Sequence, residues 1–258
     1  MLRLLRSDTL PTANPIHVSD THHYTPSKPL IDYLLCEECE DLFRTRGEEW
    51  VAQNCQRSSD TFKLRDALLR HDYEIASDGV AKLYRASSIP EIQTDHLVYF
   101  GLSVIWRAGV HDWRAGHKTL HLELGPYLEP LRQFLRDEAA FPEGMVLAVS
   151  VSSIDYFPVV NNPESQKASG FRVHGFTVPG LNFLLFVGKI LDVDRRHSTA
   201  PSPGRYIGIA PSLDHEHLTT ALGRYSKAVE QDSAKHGEKS KLPALGFGCH
   251  NQRGPNFT

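Results

Sequence analysis

Cys36 and Cys39 are the residues whose type and spacing come nearest to naming a chemistry. They stand in the run Tyr33-Leu34-Leu35-Cys36-Glu37-Glu38-Cys39-Glu40-Asp41-Leu42-Phe43. Tyr33 to Leu35 predicts a short apolar strand and Glu37-Glu38 a tight turn. From Glu40 to about Cys55 the spacing predicts a helix with Leu42, Phe43, Trp50 and Val51 on one broad face. Such a turn sets the two sulfurs side by side, which is half of a tetrahedral zinc site. The residues able to complete it are Cys249 and His250 near the carboxy terminus, or His17, His22 and His23 in the amino-terminal arm. The competing reading is two buried thiols that pack as small hydrophobes. With four cysteines in all, the others being Cys55 and Cys249, the chain has too few for a disulfide framework. A reducing compartment and metal binding fit better.

His17 and the pair His22-His23, with Asp20 between them, could supply a general base for water activation, or be surface residues of a loop. Asp214-His215-Glu216-His217 has the composition of a metal cluster. It also opens a predicted helix, on which the two imidazoles point to different faces. His111 and His117 flank Trp113-Arg114 in a predicted loop and could contact an anion or stand half-exposed. Arg107, at the end of a buried helix, is expected to meet a carboxylate such as Glu123 or Glu129, or to reach a phosphate. No phosphate-binding glycine loop, dinucleotide fingerprint, nucleophile elbow or kinase motif occurs.

The elements that must position these residues follow from periodicity and turn chemistry. Pro11, Pro15, Pro26 and Pro29 make residues 7–29 a loop or extended arm. Helical potential lies at Phe62 to Arg70 and strand potential at Val80 to Arg85. Thr94 or Asp95 is placed to cap a helix that is apolar nearly all round, with Leu97, Phe100, Leu102 and Ile105, and is expected to be central and buried. Gly125-Pro126 opens another helix with Leu128, Leu131, Phe134 and Leu135 on one stripe. The period then changes to two. Met145 to Val151 and Phe171 to Val178 alternate, and Leu181 to Ile190 is a continuous apolar strand linked to its predecessor through Pro179-Gly180. Residues 198–204 predict a loop and Ser212 to His236 a polar helix. The expected fold class is α+β, with residues 1–60 as the knuckle region and its arm. Residues 61–258 form a body of helices packed on a small antiparallel sheet.

Composition bounds the function. In 258 residues, 40% hydrophobic and 23% charged is a globular balance, and a net charge of −3 excludes coating nucleic acid by bulk electrostatics. Arg3, Arg6, Arg44 and Arg46 leave room for a local basic patch. The longest apolar run, Leu181 to Ile190, is too short for a membrane span, and Met1 to Arg6 is too short for a signal peptide. A cytoplasmic protein without membrane contact is expected.

Leu34-Leu35-Cys36-x-x-Cys39-Glu40 resembles the last part of an HNH endonuclease module, which usually reads Leu-Leu-Cys-x-x-Cys-His and runs into a helix bearing Lys or Arg. Gly47-Glu48-Glu49-Trp50, Ser103-Val104-Ile105-Trp106-Arg107 and Leu124-Gly125-Pro126-Tyr127 are similar to features of uncharacterised bacterial proteins that share a Leu-Leu-Cys-x-x-Cys-Glu knuckle. The resemblance covers the first quarter of the chain and the central helix. It implies a treble-clef arrangement of strand, knuckle and helix, with structural zinc on Cys36 and Cys39. It further implies metal-dependent hydrolysis of DNA or RNA phosphodiesters. In that scheme Glu40 and an arm histidine, His17 or His23, hold a Mg²⁺ or Mn²⁺ ion or activate water, while Arg44 or Arg46 steadies the phosphate. Glu40 stands where the nuclease pattern has its last metal-binding His, and the upstream Cys pair and His-bearing strand are absent. Either the start lies upstream of Met1 or the module has lost its active half. The alternative function is a non-catalytic, zinc-stabilised binding or assembly module with a protein partner.

Overall fold

A computed structural model describes residues 16–18, 23–24, 32–56, 61–72, 75–77, 81–115, 118–153, 159–168, 171–188 and 206–210. The loop expected at 198–204 and the helix expected from Ser212 to His236 lie outside the described residues. So do His22, His117, His215, His217, Cys249 and His250.

Cys36 is extended, with φ −73° and ψ 164°, and its carbonyl accepts the Glu40 N–H at 2.9 Å. That bond closes the first turn of a helix. It begins as α1 (Glu37–Phe43), passes through a π turn at Arg44–Glu48, and continues as α2 (Glu49–Asn54). Two expectations are corrected here. Residues 33–35 form no strand, and Glu37-Glu38 are helical rather than a tight turn. The strand and turn that a treble-clef knuckle needs ahead of its helix are therefore not formed by residues 33–38. The physical reason is in the first turn. Glu37, Glu38 and Glu40 lie at the positive end of the helix dipole and favour starting the helix early.

The π turn has its own local cause. Thr45 donates its hydroxyl to the Asp41 carbonyl at 2.8 Å and approaches that of Leu42 at 3.3 Å, competing for carbonyls of the preceding turn. Gly47 lies in this turn against α4 (Thr94–Val110). A Cβ there would stand 2.9 Å from the Phe100 nitrogen and 3.0 Å from its Cα, so only glycine permits the approach.

α4 is the central helix, and Leu97, Phe100, Leu102 and Ile105 are buried on it. Its first turn follows Gln93 and carries no side-chain cap, in place of the cap expected from Thr94 or Asp95. Phe43 meets Tyr99 and Trp106 edge-on at 5.7 and 6.0 Å. On the opposite side Phe100 meets Phe183 and Phe176 at 5.3 and 5.9 Å. α3 (Lys63–Leu69) and α5 (Leu128–Leu135) complete the helical layer.

The sheet is larger than expected. In chain order its strands are β1 (Ile16–Val18), β2 (His23–Tyr24), β3 (Ile75–Ser77), β4 (Ala81–Arg85), β7 (Met145–Ser152), β8 (Val159–Ala168), β9 (Phe171–Val178), β10 (Leu181–Gly188) and β11 (Tyr206–Ala210). They run in the order β2-β1-β8-β9-β10-β7-β11-β4-β3. Most neighbours are antiparallel; β1 with β8 and β7 with β11 are parallel. A separate hairpin joins β5 (Trp113–Ala115) and β6 (Lys118–Leu120). Leu181, Phe183 and Leu185 of β10 lie opposite Val151, Val149 and Leu147 on one side, and opposite Val178, Phe176 and His174 on the other. These nine residues are buried, and among them Phe176, Phe183 and Leu147 meet α4 at Phe100 and Gly101.

His174 is therefore a core histidine. Its Nδ1 lies 2.7 Å from the Ser165 hydroxyl, and its buried Nε2 has no partner among the described residues. Burial, with the Arg172 charge adding to it, lowers its pKa to about 4. An unfolded imidazole titrates near 6.5, so between these values the unfolded chain binds the extra proton. Stability is full above the unfolded value, falls as pH drops toward 4, and levels off below. The difference corresponds to roughly 3 kcal/mol at most. His174→Leu is expected to flatten this part of the acid limb, read as urea midpoints between pH 7 and pH 4 in both proteins. Gly47→Ala, which forces two backbones apart, is expected to cost about 1–3 kcal/mol in the same assay.

Candidate functional site

The first turn of α1 places the two sulfurs on an accessible corner. Cys36 is exposed, Cys39 is half-buried, and neither is in a disulfide. Cys36 makes no capping hydrogen bond of full geometry. The Cys39 backbone N–H, then the Cys39 thiol, nonetheless face its sulfur and hold its pKa below the ordinary thiol value. The same contact with Cys36, joined by burial, pushes the Cys39 thiol up. Of the two sulfurs, Cys36 is the one that loses its proton more readily.

A four-ligand site needs more than this pair. Among the described residues no three His, Cys, Asp or Glu side chains come together to hold an ion. Cys55 lies in the core and its thiol points to the Ala52 carbonyl at 3.8 Å. Cys249 and His250 lie outside the described residues. The backbones of His17 and His23 lie on β1 and β2 at one edge of the sheet, where His17 pairs with Tyr24 and His23 with Val18. Glu40 is exposed on the first turn of α1.

The two arginines proposed for phosphate are both engaged with carboxylates. Arg44 bridges Asp41 and Glu49. Arg46 pairs with Asp137, and its guanidinium stands 4.9 Å over the Tyr99 ring. Asp137 takes a left-handed φ of +60° directly after α5, a conformation Asp tolerates better than most residues. The Asp137 hydrogen bond raises the Arg46 pKa further. Arg46 therefore fastens the π turn to the residue after α5, and Tyr99 fastens α4 to the end of α5 through its hydroxyl, which donates to the Leu135 carbonyl at 2.7 Å.

Two polar anchors hold the cysteine corner from either side. Upstream, His111 Nε2 lies 2.7 Å from Asp32 Oδ2, tying the segment before Cys36 to the end of α4. The Tyr33 N–H and this imidazole lower the Asp32 pKa. Downstream, Glu48 and Arg107 form a buried ion pair at 2.5 Å. Burial pushes the Glu48 carboxyl up, but the positive charge beside it, chiefly Arg107, carries it below the ordinary value. Arg107 also donates from Nε to the Ser103 carbonyl at 3.2 Å and stacks 5.4 Å over Phe43. Its own carbonyl accepts the Trp113 indole N–H at 2.9 Å. The expected partners of Arg107 are thus corrected. Glu129 is taken by Arg132, and Glu123 lies 3.6 Å from Arg172. The signal for Glu48 was a charged residue inside a buried helical stripe; nothing in the spacing singled out Asp32.

Breaking the Glu48–Arg107 pair from one side leaves a buried charge unpaired. Glu48→Leu and Arg107→Met are each expected to cost roughly 3–5 kcal/mol, while the double variant costs clearly less than the sum. A double-mutant cycle by chemical denaturation measures this. No family model, no curated protein and no solved structure matches the chain.

Proposed function

We propose that the chain is a degenerate relative of HNH-type modules, in which Cys36 and Cys39 supply half of a zinc clasp and the protein works by binding rather than by cutting. The observation that carries this reading is the pair of neighbouring free sulfurs on the first turn of a firmly seated helix. Two thiolates suit a thiophilic cation better than a hard one. The two donors still needed come from outside the described residues, and Cys249 with His250 is the adjacent thiol and imidazole available in the sequence. The ion would fasten the carboxy-terminal segment to the start of α1.

The binding role follows from the charges. Arg44 and Arg46 are neutralised by Asp41, Glu49 and Asp137, so neither stands ready for a phosphate. The cysteine corner itself carries Glu37, Glu38 and Glu40, which repel a polyanion. A protein partner, or a basic segment of one, fits that surface better than DNA or RNA does.

Elemental analysis of protein purified under reducing conditions is expected to find about one zinc per chain. That zinc is lost in Cys36→Ser, Cys39→Ser and Cys249→Ser. Zinc that survives all three substitutions, or no zinc at all, overturns the clasp. Incubation with plasmid and single-stranded DNA in Mg²⁺ or Mn²⁺ is expected to leave both intact. Cleavage that disappears in Glu40→Ala overturns the binding reading in favour of hydrolysis.

A further inference from the structure

The geometry points to a second chemistry for the same corner. We propose that Cys36 and Cys39 form a reversible dithiol–disulfide couple, closed by exchange with a cationic small-molecule disulfide. This goes beyond the metal reading and needs no metal.

Three observations carry it. The first is spacing. Cys36 and Cys39 stand at the two ends of one helical turn closed by the Glu40 N–H bond to the Cys36 carbonyl. Helix geometry sets such Cα atoms about 5–6 Å apart, inside the range a disulfide spans. The bond can therefore close without unwinding α1. The second is access. Cys36 is exposed and Cys39 is half-buried one helical turn on, so a small disulfide reaches Cys36 first and Cys39 is left to resolve it. Cys55, the other described thiol, is 1% exposed and out of reach. The third is charge. Glu37, Glu38 and Glu40 share the first turn of α1 with the pair, and their charge attracts a cationic disulfide and repels an anionic one.

The exchange balances in two steps. The Cys36 thiolate attacks one sulfur of the small disulfide. A protein–ligand disulfide forms, the small disulfide bond breaks, and the first small thiol leaves and takes a proton from water. Cys39 then gives its proton to water and attacks the Cys36 sulfur. The intramolecular bond forms, the mixed disulfide breaks, and the second small thiol leaves. Two protein thiols are oxidised and one small disulfide is reduced to two thiols.

The test uses the full chain, reduced and freed of metal with a chelator, with its fold checked by circular dichroism. It is treated with cystamine and, separately, with oxidised glutathione. Intact mass and peptide mapping are expected to show loss of two hydrogens, no adduct, and a Cys36–Cys39 link reversed by dithiothreitol. Cys39→Ser is expected to stop at one cysteamine on Cys36. Cystamine is expected to react roughly fivefold faster than oxidised glutathione at low salt, the gap closing as salt screens it. A wild-type chain that keeps an adduct, stays reduced, or links other cysteines overturns the couple. Equal rates for the two reagents overturn its preference for cations. Because metal is absent throughout, failure here leaves the zinc reading standing. Absence of zinc in the purified protein likewise leaves the couple standing.

Discussion

The crossing of the 37–54 helix over α4 at Gly47 is the constraint on which the cysteine corner depends. Phe43, Gly47, Val51 and Cys55 are all buried, at intervals of four residues. On a regular α-helix each such step drifts by about 40°, and three steps would carry Cys55 well off the face that Phe43 begins. The π turn at Arg44–Glu48 adds a residue to one turn and takes up that drift. Gly47 sits inside it because the wider turn brings backbone against the Phe100 backbone. Glu48, the next residue, is thereby delivered to Arg107. One irregular turn thus sets the aromatic contact, the close approach and the buried ion pair together. Along this helix Cys39 stands about one turn before Phe43 and about two before Gly47 and Glu48.

How much of this was legible in the sequence differs by element, for physical reasons. α4, α5, β7, β9 and β10 follow from periodicity because each buries a continuous stripe or face. The Pro179-Gly180 link was readable from its turn residues, and Gly180 does adopt φ +78°. β8 was not readable. Val159-Val160-Asn161-Asn162-Pro163 offers little alternation, and Pro163 argues against a strand. The structure accommodates it at a register shift between Asn161 and Glu164, where a missing N–H costs no ladder bond. β1 and β2 were not readable in the proline-rich arm either: β1 pairs with β8 and β2 with β1, far from β8 in sequence. The strand expected at Tyr33 to Leu35 failed because three apolar residues next to an acidic helix start carry no partner. Tyr33 is in fact fully exposed.

At the site, residue types were legible and partnerships were not. That Cys36 and Cys39 lie together was readable from their spacing, since both a tight turn and a first helical turn bring i and i+3 close. Which of the two holds depends on the helix dipole and on Glu37, Glu38 and Glu40, a weaker signal than the cysteine spacing itself. Arg107 was rightly expected to seek a carboxylate. Its partner lies 59 positions away on another helix, and only the crossing at Gly47 selects Glu48 over Glu123 or Glu129. Gly47-Glu48 and Arg107, within the segments that are similar to the uncharacterised bacterial proteins, thus have a packing role in the close approach and the ion pair.

The two uses proposed for this pair of sulfurs would be linked by thermodynamics. A cation held by the reduced thiolates and a bond between the sulfurs exclude each other. Each bound cation therefore stabilises the reduced form by an amount set by its concentration relative to its dissociation constant. At a hundredfold excess this is about 2.7 kcal/mol, or near 60 mV for a two-electron couple. The anchors on either side decide that this coupling stays local. Asp32–His111 fixes the approach to Cys36, and Phe43, Arg46 and Glu48 fix the helix beyond Cys39. Neither closing the disulfide nor holding an ion requires those contacts to change. The event is confined to the first turn and to whatever supplies the remaining donors.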